Sequence, residues 1–277
     1  MICDLKRYHF FTNIVKKMDD MKIEDISEIR EEHIVSFLTY NIDGRVIDSK
    51  DRLDLALDQI RELHPDVVAI QEGTYLTYEK LFREMGQMGY KKNFSDEVRQ
   101  RKFGEIIFSR RPIVKIEYLP FRYSYECRGL TRYLITIGDE KVWFLTTQFE
   151  FNIAIRRKQM VQMESFFLRL SESTIFGGDT QIQHYQKIGA PEEWLDAWYE
   201  LGSPETEYTV DWKNNYIIQP PLRDRPDRVW YKAKDSALEC LEFELIGKDK
   251  EDKASGHFGV YTTFRVGNDK IKKRSLE

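Results

Sequence analysis

Asn41, Glu72, Gln148 with Glu150, and Asp179 with Gln181 share one property: each closes a run of β-branched and aromatic residues. The runs are Ile34–Tyr40, Val67–Ile70, Val142–Thr147 and Ser173–Phe176. Carboxylates ligate hard cations or move protons, and amides donate and accept together, so these are the types a catalytic or metal-binding centre uses. Side chains mounted on rigid strand ends are also where such centres are built. Each position has an ordinary structural explanation. Asn41 can cap a turn, Glu72 can cap the following helix, and Gly177-Gly178-Asp179 is a common loop type. Recurrence at four strand ends favours one shared site, but does not by itself name a chemistry.

The elements that would position these residues read as alternating strands and helices. Ile34–Tyr40 is a buried strand stopped by the turn-forming cluster Asn41–Gly44. Leu53, Leu57, Ile60 and Leu63 recur at helical spacing over 52–63, and Pro65 blocks continuation. Val67–Ile70 is a second buried strand leading into Gln71 and Glu72. Further strands are expected at 105–109, 131–137, 142–147, 173–176, 228–231, 241–245 and 258–266. Gly138–Glu140 supplies a hairpin turn between two of them. An amphipathic helix is expected over 154–170, with Ile155, Met160, Met163, Phe166, Phe167 and Leu170 on its apolar side. Strand–helix–strand order implies sheet and helix layers packed together.

The whole chain is consistent with one such domain. It has 277 residues, 41% hydrophobic and 13% aromatic, enough for a large core, while 32% charged residues and a mean hydropathy of −0.57 describe a soluble surface. Net charge is −4, so phosphate binding would rest on local basic patches. The candidates are Arg99–Lys102, Arg110-Arg111, Arg156–Lys158 and Lys270–Arg274, each of which also reads as a solvated face. Cys3, Cys127 and Cys240 form no CxxC pair and no disulfide framework. No signal core or membrane-length apolar run is present, so an intracellular protein, nuclear or cytoplasmic, is expected. We read 1–32 as a partly helical N-terminal extension, 33–266 as the domain, and 267–277 as a basic tail.

Five segments, in order, resemble the signature segments of the endonuclease/exonuclease/phosphatase superfamily. They are Thr39–Gly44 (TYNIDG), Val68–Glu72 (VAIQE), Phe176–Gln181 (FGGDTQ), Arg225–Trp230 (RPDRVW) and Ser255–Gly259 (SGHFG). Asn41–Gly44 and Gly178–Thr180 are most similar to the tyrosyl-DNA phosphodiesterase 2 branch, whose Tyr-Thr-Trp segment is partly echoed by Glu207–Trp212. The resemblance spans 33–266. It implies an α/β fold of DNase I-like type, a four-layered α/β sandwich of two mixed sheets face to face, flanked by helices. It also implies a phosphodiesterase using Mg²⁺ or Mn²⁺ on nucleic acid, at 5′ ends or protein–nucleic acid adducts, as a monomer with no membrane partner. A general nuclease or phosphatase, or a catalytically weakened relative that binds nucleic-acid ends, is the alternative.

By the same resemblance Glu72 is the principal metal ligand, and Asn41 supports metal and phosphate. Asp179 orients and deprotonates the attacking water. His257 hydrogen-bonds a phosphoryl oxygen, and Asp227 holds that imidazole in one tautomer. Gln181 sits in the catalytic loop and Gln148 on the phosphate. Arg128 matches a phosphate-facing basic position, or is a turn arginine paired with Glu126. The chain departs from the family pattern at Gly256 (usually Asp), Gln181 (usually Asn) and Gln148 (usually His).

Overall fold

The computed structural model describes residues 33–44, 50–91, 103–186, 188–233 and 238–267. The chain divides into Met1–His33 and Ile34–Glu277, and every strand and helix named below belongs to the second unit. The extension 1–32 and the patches Arg99–Lys102 and Lys270–Arg274 lie outside the described residues.

In chain order the elements are β1 (Ile34–Asn41), α1 (Lys50–Leu63), β2 (Val67–Thr74), α2 (Tyr75–Gln87), β3 (Phe103–Ser109) and β4 (Ile113–Pro120). There follow β5 (Gly129–Ile137), β6 (Glu140–Thr146), α3 (Ile153–Phe167), β7 (Thr174–Asp179), β8 (Leu195–Asp196) and α4 (Ala197–Leu201). The last are β9 (Val210–Asp211), β10 (Arg223–Asp224), β11 (Asp227–Lys232), β12 (Leu238–Ile246) and β13 (Gly259–Val266). Two mixed sheets result, ordered β12-β13-β1-β2-β3 and β4-β5-β6-β7-β11-β8. Each holds one parallel pair, β1 with β2 and β6 with β7, and each pair is joined through a helix, α1 or α3.

Strand alternation sorts the side chains into layers. Val35, Phe37, Val67, Ala69, Tyr133, Phe144, Ile175, Val229 and Phe264 form the core between the sheets. Leu38, Tyr40, Val68 and Ile70 point the other way and meet Leu57, Ile60, Leu81 and Met85 of α1 and α2. On the second sheet Leu145, Phe176 and Trp230 meet Met163 and Phe167 of α3. The expected four-layered sandwich is therefore what the chain forms.

Gly177 and Gly178 are required by close approach. A Cβ on Gly177 would lie 2.4 Å from Phe37 Cε1 on the facing sheet, and one on Gly178 would lie 2.2 Å from the Thr147 carbonyl oxygen. Gly177 thus lets the two sheets close together near the end where the polar residues sit, and Gly178 lets β7 lie close against the chain that continues β6.

Three differences from the sequence reading stand out. Helix α2 and edge strand β4 were not foreseen; β4 is half-exposed along most of its length and so carries a weak pattern. Helix α3 buries Arg156, Gln159, Met163 and Phe167, so its first two turns face inward with polar side chains. Arg110 and Arg111 are not a free basic patch. Both pair with Asp66, at 3.4 and 2.9 Å, and both also donate to backbone carbonyls.

Candidate active site

The period-two rule that builds the core also builds the site. Asn41 continues the inward row Val35-Phe37-Thr39, Asp179 continues Ile175-Gly177, and Asp227 continues Tyr231-Val229. Hydrophobic in their middles, these rows turn polar at one common end. Asp179 and Asp227 are direct partners in the β7–β11 register.

Glu72 reaches the same place by a different device. Alternation would send it to the helix side, but the β2–β3 register slips between Ile70 and Gly73, and Glu72 adopts φ +59°. A bulge with a left-handed residue re-aims the side chain. Gln181 takes φ +51° just beyond Asp179. Non-glycine residues in this region cost about 1–3 kcal/mol each and gather at functional sites.

Among the described residues the structure brings together Asn41, Glu72, Gln148, Asp179, Gln181, Asp227 and His257. Asn41 Nδ2 donates to Asp179 Oδ2 at 2.9 Å and to Glu72 Oε1 at 3.4 Å. Gln148 Nε2 donates to Glu72 Oε1 at 2.6 Å and to Asp179 Oδ2 at 3.3 Å. Gln181 donates to Asp179 twice, backbone N to Oδ1 at 2.9 Å and Nε2 to Oδ2 at 2.6 Å. Oδ2 of Asp179 thus accepts three hydrogen bonds and Oδ1 one. The His257 ring donates from Nδ1 to Asp227 Oδ2 at 2.8 Å, which leaves Nε2 for another group.

Arg128 is held differently from a side chain that meets phosphate directly. Its guanidinium is buried, and it donates to Gln148 Oε1, to Glu105 Oε1 and to Glu126 Oε2. The bond to Gln148 Oε1 fixes which way that amide faces, so that Nε2 points at Glu72 and Asp179.

Sequence reasoning did not single out several supporting residues. Thr209 donates to Asp227 Oδ2 at 2.5 Å, and its carbonyl accepts from Phe258 N at 2.7 Å, tying Asp227 to the chain beside His257. Ser255 Oγ donates to the Asn41 carbonyl at 2.7 Å and accepts from His257 N at 3.1 Å. Asp43 N donates to Asn41 Oδ1 at 2.8 Å, and the Asp43 carboxylate pairs with Arg52 at 3.5 Å. Ser255 lies inside a recognised segment and was within reach of inspection. Thr209 makes its contacts across 18 residues and more, with no local signal.

The electrostatics follow from three buried carboxylates around one imidazole. Burial works against charge on His257, but the Asp227 carboxylate and its hydrogen bond, with Asp179 and Glu72 behind them, outweigh it and raise the pKa to about 10. Burial raises the Asp179 pKa, and the neighbouring Asp227 charge adds to this, while His257 and donors from Gln181 and Asn41 pull it down. Asp227 Oδ1 is buried with no hydrogen-bond partner among the described residues. Ligand atoms of Asp179, Asp227 and His257 lie within 4.8 Å of one another. The buried carboxylates of Glu72, Asp179 and Asp227 outnumber the one imidazole among them, and such hard, negatively charged oxygens fit a divalent cation.

Sandwich and site together define a class: this chain belongs to the Endonuclease/Exonuclease/phosphatase family, whose profile matches residues 38–201. Within it, the chain is 26% identical over 259 residues to tyrosyl-DNA phosphodiesterase 2 of Mus musculus, covering 86% of this chain and 68% of the relative. Solved structures share the fold. A humanized D. rerio TDP2 superimposes with a TM-score of 0.70 at 22% identity, covering 84% of this chain and 99% of that one. A D. rerio TDP2 complexed with single-strand DNA product gives 0.69 at 24% identity, covering 83% and 98%. The fold is also shared by ANGEL2, a 2′,3′-cyclic phosphatase, with a TM-score of 0.63 at 12% identity, covering 83% of this chain and 95% of that one.

Proposed function

We propose that this protein is a metal-dependent phosphodiesterase acting on nucleic acid, with 5′-phosphotyrosyl or related phosphodiester bonds as its substrate. The observation that carries the reading is the convergence of Asn41, Glu72 and Asp179 on the hydrogen-bonded pair Asp227–His257, from strand ends of both sheets. The sequence kinship with a tyrosyl-DNA phosphodiesterase supports the choice of bond. Fold alone does not, since one sandwich serves different chemistries.

Phosphodiester hydrolysis needs charge neutralisation on the phosphoryl oxygens, an oriented water and a stabilised leaving oxygen. Glu72, with Asn41 beside it, would hold Mg²⁺ or Mn²⁺, and the ion when bound supplies positive charge to the phosphoryl group. Asp179 directs the water and takes its proton. Three donors occupy its Oδ2, so Oδ1 is the oxygen with an accepting position to spare. His257, protonated at neutral pH, donates from Nε2 to a phosphoryl oxygen, while Asp227 keeps Nδ1 engaged. Asn41 and Gln148 aim their amide donors at Glu72 and Asp179 and hold the two carboxylates in place, and Arg128 acts through Gln148 by fixing its orientation. Gln181 steadies Asp179.

Aromatic residues near the Asp227 end would favour bases over small esters. Tyr208 stacks under Arg223 at 4.2 Å, and Tyr216 is exposed on the loop between β9 and β10. The test uses a 5′-tyrosyl single-stranded oligonucleotide, the plain oligonucleotide and a phosphomonoester, each with Mg²⁺ or with EDTA. Release of tyrosine with Mg²⁺ is expected, falling by about 10²–10⁴-fold in Asp179→Asn, the usual range for a lost general base. Turnover of none of the three substrates at high enzyme concentration overturns the reading and leaves a nucleic-acid-end-binding relative. Equal cleavage of the plain oligonucleotide points to a general nuclease.

A further inference from the structure

Two aromatic rings beside the site are more exposed than packing explains: Tyr125 is 75% and Phe151 78% exposed. Neither ring sits on a loose loop. Glu150, buried, accepts from Ser124 Oγ at 2.6 Å, Tyr125 N at 2.7 Å and Glu126 N at 2.9 Å, which pins the 121–128 loop to the start of α3. The inward-facing polar residues of α3 complete the clamp. Gln159 bridges Glu150 N and the Tyr123 carbonyl, at 2.9 and 3.0 Å, and Arg156 donates to the Phe151 carbonyl at 3.3 Å. Tyr125 and Phe151 therefore flank one buried carboxylate, the first through a hydrogen bond and the second through the chain.

Cations lie on the same loop and helix, gathered on the neighbouring Tyr123 ring. Lys158 Nζ lies 4.4 Å from the Tyr123 ring centroid and the Arg122 guanidinium 5.7 Å from it, and Arg122, Arg157 and Lys158 are all exposed. Both segments also run directly into the site. The 121–128 loop ends in Arg128, which orients Gln148, and Glu150 follows Gln148 by two residues. Exposed π faces with cations on the same segments are the recognition chemistry of unpaired nucleic-acid strands, where stacking is tolerant of sequence and the cations follow the phosphates.

We propose that Tyr125 and Phe151, with Arg122, Arg157 and Lys158 on the same loop and helix, form a stacking subsite for unpaired bases of the strand whose phosphodiester occupies the site. The assignment deepens the nucleic-acid reading above and rests on it for its substrate class. It also gives Glu150 a purpose: the carboxylate preorganises the platform rather than touching the phosphate.

The experiment measures fluorescence anisotropy of 3′-labelled oligothymidylates of 2, 4 and 8 nucleotides in EDTA, so no turnover intervenes. In the unaltered protein, affinity is expected to rise with length. The double variant Tyr125→Ala/Phe151→Ala is expected to flatten that rise and weaken the 8-mer at least tenfold, about 1.4 kcal/mol. The swap Tyr125→Phe/Phe151→Tyr keeps the rings and should retain the 8-mer within about twofold. Unchanged length dependence in the alanine variant overturns the subsite, as does an equal loss in the ring-preserving swap. An alanine-sensitive gain that comes from a tyrosine-containing hexapeptide on the 5′ phosphate, and not from added nucleotides, overturns it in favour of a protein-binding face. Failure of hydrolysis in the earlier assay would sink the functional reading without altering these binding data.

Discussion

At the scale of residues, the Asp227–His257 pair sets the pH behaviour. With its pKa raised to about 10, the His257 imidazole carries charge throughout the neutral range. The group's folded pKa exceeds the ordinary histidine value, so its stabilising contribution is complete below about pH 6.5 and fades as pH rises through 10. Activity that needs a donating Nε2 should therefore hold on the alkaline side until near pH 10. In Asp227→Asn the strongest support for the imidazolium is gone, and the alkaline limb of the rate profile should move down toward neutrality; an unmoved limb would count against His257 as donor. Gly256 gives a second case. A Cβ built there lies 3.0 Å from Ile218 Cδ1 and 3.5 Å from Asp43 Oδ2. Gly256→Asp would thus set a new carboxylate against Asp43, a repulsion that a divalent cation relieves. The variant is expected to melt several degrees below the unaltered protein in EDTA and to recover on adding Mn²⁺, with a larger metal-induced shift than the parent shows. Equal shifts in the two proteins would argue that position 256 lies out of reach of the ion.

At the scale of elements, Gly177 of β7 sets how closely the sheets meet. Gly177→Ala places a methyl into Phe37, with an expected loss of about 1–3 kcal/mol from overpacking, read from the urea midpoint. The strands that carry the site were legible because buried runs of β-branched and aromatic residues end in Asn41, Glu72 and Asp179. What stayed hidden has physical causes. Strand β4 is a half-exposed edge whose pattern barely differs from a loop. On α3 the apolar residues suggested one buried face, but Arg156 and Gln159 are drawn inward because they satisfy backbone groups of the Tyr123 and Phe151 segments. The bulge that turns Glu72 around has no local mark beyond the Gly73 that follows it. The site's members were therefore readable, while the contacts that aim them, Thr209 on Asp227 and Arg128 on Gln148, depend on distant chain segments meeting.

At the scale of the molecule, the site is shared between two sheets. Gln71 stitches them, donating to Thr39 Oγ1 at 2.9 Å on one sheet and to Thr146 Oγ1 at 2.8 Å on the other. Asn41 and Glu72 belong to the first sheet, Asp179 and Asp227 to the second, so the working geometry is only as firm as the inter-sheet contact. A misplacement of about 1 Å can cost on the order of 10²-fold in rate. A core-loosening substitution such as Val229→Ala should accordingly abolish activity at a temperature below the midpoint of unfolding, seen by comparing rate and circular dichroism on one heating ramp. Coincident loss of both would show that the sheets do not slip before they separate. Sheet order carries a further implication, for biosynthesis. Strand β13 follows every site residue in the chain, yet it lies between β12 and β1 in the interior of its sheet. While Gly259–Val266 is still inside the ribosomal tunnel, β1 lacks the neighbour that aligns it, and Asn41 and His257 have no fixed relation. In a nascent chain the site is therefore assembled only once Gly259–Val266 has left the tunnel and paired with β1.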